Sequence, residues 1–365
     1  MKRIKGLDGL RGIAILLVLI FHFVSSSLSP EFGNKGASNF IATSLIKLTS
    51  SFWCGVDLFF VLSGFLIGSI ILKNIGQINF FSTFYLKRFY RIIPAYFALI
   101  LIFIIAKFFF HKYDNKWLFE NDIPAYYYLT FTQNFIMGIR NNFGPSGLNP
   151  TWSLAVEEQF YIIFPLVALF FRKRYLLYVV FMLIVLAPIF RESMSNFYQK
   201  YTLIICRMDS LLLGVLVAYF WNKQTFKSKI INNKKIIWLF FLASLIATFL
   251  GALFDIGYWG FTISAITFSF LILLCLVDPN NIFIKLIANK IFVFFGSISY
   301  SLYLIHHLIL GLLFLLFKGT GPSINDWNGV FIAFLALIVS VIYAYFSTNY
   351  FELFFIKKGV NLKYN

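Results

Sequence analysis

Arg11 and His22 stand eleven residues apart within LDGLRGIAILLVLIFHF, Leu7 to Phe23, a stretch otherwise apolar enough to cross a bilayer. Eleven steps of 100° end about 20° from three whole turns, so on a helix the two side chains share a face, about 16 Å apart along the axis. An imidazole can take up or return a proton near neutral pH, whereas a guanidinium keeps its positive charge. Ionisable groups at membrane depth are costly and usually face a protein interior or an aqueous cavity. A structural reading exists for both: Arg11 snorkels to the headgroups, and His22 bonds a neighbouring helix. For an imidazole so deep, function is the default.

Other polar residues are expected at similar depth. FWCGVDLFFVLSGF carries Asp57, about 7 Å below the outer end of its helix. NPTWSLAVEEQFY places Glu157 and Glu158 in the first turns of another, with Ser153 as a candidate N-cap and Glu157 as a partner of the helix dipole. IICRMDSLLLG adds Arg207 and Asp209, read either as a structural ion pair or as part of a site. Four helices thus converge on the outer third of the membrane. At the other end YLKRFYRIIP sets Lys87, Arg88 and Arg91 within one turn, with Arg88 and Arg91 on one face if helical. Such residues anchor helices on the cytoplasmic side, and paired arginines also receive phosphate groups. With no Walker loop and no Rossmann glycine signature, the phosphates of an acyl carrier fit better than a nucleotide triphosphate or dinucleotide. Cys54, Cys206 and Cys275 are isolated and suggest neither disulfides nor a metal site.

The elements that hold these residues follow from composition. The chain is 60% hydrophobic with 12% charged residues, about half the charge of a soluble domain. It is therefore expected to be an all-α membrane protein, and its net charge of +17 to report topology rather than nucleic-acid binding. Ten apolar runs are long enough to cross the hydrocarbon, near 7–28, 52–72, 93–110, 154–171, 175–190, 203–221, 236–253, 259–277, 296–317 and 329–351. Residues 125–137 are too short and polar to span and read as an interfacial or re-entrant piece. With the N-terminus inside, twenty of the 31 Lys and Arg fall in cytoplasmic segments, from Lys2, Arg3 and Lys5 through Arg172, Lys173 and Arg174 to Lys357. Nine fall outside, among them Lys35, Lys112, Lys116 and Arg191. Both termini are therefore placed in the cytoplasm. A cleaved signal peptide is the competing reading of the first run, but Arg11 and His22 interrupt it and its loss would invert the charge pattern. The pattern predicts one transmembrane domain over 1–365 with no appended soluble domain.

Six segments occur in order: DGLRGIAILLVLIFHF, GVDLFFVLSGFLI, KRFYRIIP, WSLAVEEQFY, RMDSLLLG and SISYSLYLIHH. Together they resemble the acyltransferase-3 family of bacterial integral membrane acyltransferases, from Leu7 to about Tyr350. The resemblance implies ten spans in the bacterial inner membrane, an acyl-coenzyme A donor (acetyl-CoA above all) and transfer to a hydroxyl of a surface carbohydrate such as O-antigen, capsule or exopolysaccharide. It implies that His22 is the catalytic histidine, as base or acyl relay, with Arg11 its companion and Glu157 the key carboxylate. Arg88 and Arg91, beside Lys87, would hold coenzyme A phosphates. Asp57 or Glu157 would orient the His22 ring, and Trp152, Ser153, Glu158, Arg207 and Asp209 would meet the acceptor. Neither a metal nor a nucleic-acid partner is expected. Glu352 departs from the family pattern and receives no role; Tyr300, Tyr303 and His306 read as packing. Two rivals stand beside this: a transporter or flippase for a lipid-linked glycan, using the buried charges as a path, and an acyltransferase whose acceptor is a lipid or small molecule.

Overall fold

A computed structural model describes residues 4–33, 38–110, 116–254 and 257–365. Lys2, Arg3, Lys35 and Lys112, used in the charge count, lie outside the described residues, as do the side chains of Lys116, Arg172, Lys173 and Arg174. Among the described residues ten helices are long and apolar enough to cross a membrane. The first five are Lys5–Ser25, Phe40–Asn74, Phe80–Phe110, Thr151–Phe170 and Tyr175–Ser193. The second five are Phe197–Asn222, Lys234–Gly251, Trp259–Val277, Lys290–Lys318 and Trp327–Val360. Helix is the form that satisfies every backbone N–H and C=O within one segment, which hydrocarbon demands. Large apolar residues such as Leu101, Phe181, Leu239 and Phe334 point outward, where lipid tails would receive them.

Two spans start about a dozen residues before hydropathy places them. The second is preceded by a helix, Phe40–Thr49, capped by the Asn39 side chain, which accepts from the backbone N–H of Ile41 and Ala42. The third begins at Phe80 and so carries Lys87, Arg88 and Arg91 inside a helix. Polar residues lower a hydropathy average without stopping a helix. Within 125–137 the chain forms the helix Ala125–Leu129 and enters a second, Gln133–Arg140, neither long enough to span. The second one ties spans together: buried Gln133 donates to the Thr151 carbonyl at 3.0 Å and Asn134 to the Thr202 carbonyl at 3.1 Å.

The second span is the most enclosed of the ten and the seventh the least. The first span packs along the ninth with backbone against backbone. A Cβ added to Gly12 would sit 1.9 Å from the Phe292 carbonyl oxygen, and one added to Gly296 would sit 1.9 Å from that of Asp8. Small residues let membrane helices approach this closely. The contact matters beyond packing, because His22 and His306 lie further along the same pair of helices. Gly296→Leu is expected to pry them apart, at about 1–3 kcal/mol for an overpacked site. The check is a lower Tm for the detergent-solubilised variant.

Candidate active site

The last turn of the first span is a π-helical turn, Phe21–Ser25. Such turns re-aim side chains and recur at functional sites. Two hydroxyls hold this one: Ser26 donates to the Phe21 carbonyl at 2.9 Å and Ser27 to the His22 carbonyl at 2.7 Å. The turn delivers His22 to the wall of a cavity of about 690 Å³. His307 and the rings of Trp53, Trp117, Trp152 and Tyr201 line it as well. His22 Nδ1 lies 3.0 Å from His306 Nε2, and the His22 and His307 ring centroids are 4.8 Å apart.

A second chamber, of about 210 Å³, lies toward the end of the bundle where the first span begins. Arg11, Arg88 and Arg91 line it together with Glu157, Tyr161 and Ser63. The helical path between Lys87 and Arg91 is what brings Arg88 and Arg91 to one side, one turn apart. The carboxylate of Glu157 accepts from Tyr161 at 3.1 Å, and the same hydroxyl is bonded to Ser63. Phe59, Leu62, Leu66 and Ile67 supply an apolar wall. Val56 and Tyr303 line both chambers. The Tyr303 hydroxyl bonds Ser153 Oγ at 2.6 Å and donates to the Pro150 carbonyl at 3.1 Å. Two side chains, Val56 and Tyr303, thus stand between a cationic chamber and a histidine chamber.

Several expected roles need correction. Asp57 does not orient His22: it accepts from Arg207 at 2.6 Å and from Ser210 at 3.0 Å. Glu157 stands in the arginine chamber, so it does not reach the ring either. Arg207 and Asp209 do not pair with each other, because i and i+2 on a helix point to different faces. Asp209 pairs instead with Arg191 and accepts from Thr262 at 2.6 Å. Arg191, counted as an outer-loop cation, is fully buried. Arg207 stacks its guanidinium 3.9 Å from the Phe261 ring centroid, behind the aromatic wall. Ser153 lies within the first turn of its helix, which begins at Thr151, and makes the Tyr303 contact rather than a cap. Trp152 lines the histidine chamber, whereas Glu158 lines neither and faces Arg88. Lys87 turns away, its ammonium 5.0 Å from the Tyr364 ring centroid. Glu352 is buried in a second π-helical turn, bonded to Ser301 and Thr348.

His306 does more than pack, and His307 lines the chamber although the sequence reading does not single it out. Two adjacent histidines midway along an apolar run, Lys290–Lys318, meet the same membrane-depth criterion that singled out His22.

The buried pair of Arg207 and Asp57 carries its own expectation. Arg207→Met leaves a carboxylate without its partner and should cost about 3–5 kcal/mol, while the double variant with Asp57→Leu should recover most of that. Chemical or thermal unfolding of the three variants checks it.

With ten spans among the described residues and a cationic chamber adjoining a histidine chamber, the chain is a multi-pass membrane protein built around two neighbouring cavities. More narrowly, the chain belongs to the acyltransferase-3 family, described as an acyltransferase domain, which it matches over residues 4–348. It is 28% identical over 384 residues to the "Putative O-acetyltransferase" of Staphylococcus aureus strain COL, covering 99% of this chain and 58% of that protein. It is 29% identical over 335 residues to the O-acetyltransferase OatA of Staphylococcus aureus strain NCTC 8325, covering 85% of this chain and 51% of that protein. The chain therefore spans little more than half the length of these relatives. No solved structure gives a significant match.

Proposed function

We propose that this chain is an integral membrane O-acyltransferase that moves an acetyl group from acetyl-coenzyme A to a hydroxyl of a surface carbohydrate. The family and the names of its relatives support the class of reaction. The observation that carries the reading is the shared wall of Val56 and Tyr303 between a chamber of three arginines and a chamber containing His22. Under the positive-inside rule the arginine chamber faces the cytoplasm of a bacterial inner membrane, with both termini on that side.

Each chamber suits one substrate. Guanidinium forks bind phosphate bidentately, so Arg88 and Arg91 with Arg11 would hold the donor's phosphates. The chamber is narrow and half of its lining residues are apolar, so the thin thioester arm fits beyond the arginines that hold the phosphates. The wider chamber offers tryptophan and tyrosine faces, on which the apolar face of a sugar ring can lie. A hydroxyl is a weak nucleophile and needs a positioned base. His22 takes its proton as the oxygen attacks the thioester carbonyl. The C–S bond then breaks, and the imidazolium returns that proton to the leaving sulfur, so the products are ester and free thiol. Arg11 and the other guanidiniums hold the donor side positive while negative charge develops.

The test is label transfer in proteoliposomes containing the purified chain, with radiolabelled acetyl-coenzyme A and N-acetylglucosamine oligosaccharides as the acceptor probe. Labelled ester on the sugar is the expected product. Movement of a lipid-linked glycan across the vesicle without labelled ester would overturn the proposal in favour of a carrier.

A further inference from the structure

We propose that His306 is a positioning residue that sets the tautomer of His22, leaving Nε2 as the nitrogen with a free lone pair at the chamber. The hydrogen bonds assign the protons in sequence. His306 Nδ1 lies 2.8 Å from the Tyr303 carbonyl oxygen and 3.1 Å from that of Leu302. Carbonyls only accept, so this nitrogen carries the hydrogen. The His306 ring is fully buried and no carboxylate touches it among the described residues, so a charge there would be uncompensated. A neutral ring protonated at Nδ1 has a bare Nε2, which accepts. The atom facing it at 3.0 Å is His22 Nδ1, which must therefore donate.

His22 then has its single N–H turned inward and its second nitrogen unprotonated. His307 does not block that nitrogen, because its own Nδ1 is committed to the Ser146 carbonyl and its Nε2 has no hydrogen to give. A carboxylate usually orients a catalytic histidine, and here a neutral imidazole takes that place. On proton uptake at Nε2, the Nδ1–H of the His22 imidazolium keeps its acceptor and the bond becomes charge-assisted. The role in catalysis rests on the acyl-transfer reading, whereas the tautomer does not.

The rival for this task is the backbone carbonyl of Val18, one turn back on the same helix. Two variants decide between them. In His306→Gln the amide oxygen can still accept from His22, and in His306→Leu nothing can. Solid-state ¹⁵N NMR of histidine-labelled protein separates protonated from bare ring nitrogens. The chain has only four histidines, so His22→Gln assigns the His22 signals by their loss. Wild type and His306→Gln are expected to show His22 protonated at Nδ1, with kcat for acetyl transfer in the variant within about tenfold of wild type. His306→Leu is expected to populate the Nε2–H form and to lose about 10²-fold in kcat with the KM for acetyl-coenzyme A unchanged.

A His22 protonated at Nε2 in wild type would overturn the assignment. So would a His306→Leu protein that keeps the Nδ1–H form, since Val18 would then suffice. Equal loss of kcat in both variants would reduce His306 to packing. If wild type shows the Nδ1–H form but transfers no acetyl group, the functional reading falls and the tautomer assignment stands.

Discussion

Replacing His22 by Gln should lower acetyl transfer from acetyl-coenzyme A by about 10³-fold, the middle of the range for losing a general base. The effect is large because the only other histidine of the chamber among the described residues presents its ring from a different helix. His306 lines neither chamber, and His307, with Nδ1 committed to the Ser146 carbonyl, lines the chamber from the ninth span rather than from the turn that carries His22. Gln preserves much of the ring's bulk, and the π-helical turn depends on main-chain carbonyls accepting from Ser26 and Ser27, so the local fold does not rest on the imidazole. The variant should elute as a single species and retain its Tm. Donor binding should also survive, because Arg11 lies about three turns from His22 and none of the three arginines lines the histidine chamber. Activity within tenfold of wild type in a well-folded His22→Gln protein would remove His22 from the chemistry. Trapping a labelled acyl-imidazole in a single turnover without acceptor would keep His22 but replace direct transfer with a relay.

Much of this site was legible before any coordinates, for physical reasons. The helical period placed Arg11 and His22 on one face, and the structure sets them in the walls of two chambers on that face, where the helix packs against the second and ninth spans. The pairing of Arg88 with Arg91 followed from the same period once the third span proved helical from Phe80. What escaped is what the period does not encode. Which helix stands next to which is decided by tight crossings such as Gly12 and Gly296 against Phe292 and Asp8, where carbonyls nearly touch. Those crossings placed the ninth span beside the first, so His22 met His306 rather than a carboxylate. Asp57, Asp209, Arg191 and Arg207 illustrate the same limit. Their charges were evident, yet the partner of each depended on the packing of the second, fifth and sixth spans. Proximity in sequence suggests pairing Arg207 with Asp209, and in the fold each finds its partner on another helix.

The donor chamber offers a test in which chemistry and packing separate. The Arg88→Gln, Arg91→Gln variant should raise the KM for acetyl-coenzyme A by about 10²-fold or more, since each charge-assisted hydrogen bond contributes about 1.5–3 kcal/mol. The effect on kcat should be small, because the phosphates are bound alike in ground and transition states and uniform binding leaves kcat unchanged. Any fall in affinity could arise from a distorted chamber, since Arg88 also faces Glu158 and all three arginines crowd a volume of about 210 Å³. Acetyl-pantetheine resolves this, because it carries the thioester arm and lacks every phosphate of the full donor. If Arg88 and Arg91 grip phosphate, wild type should use acetyl-pantetheine far less well than acetyl-coenzyme A, and the double variant should treat the two donors nearly alike. High salt should weaken wild type toward the variant, since screening acts on the same contacts. A distorted chamber would instead impair both donors equally. A double variant that still prefers acetyl-coenzyme A as strongly as wild type would place the phosphates elsewhere, and the arginine chamber would lose its assigned substrate.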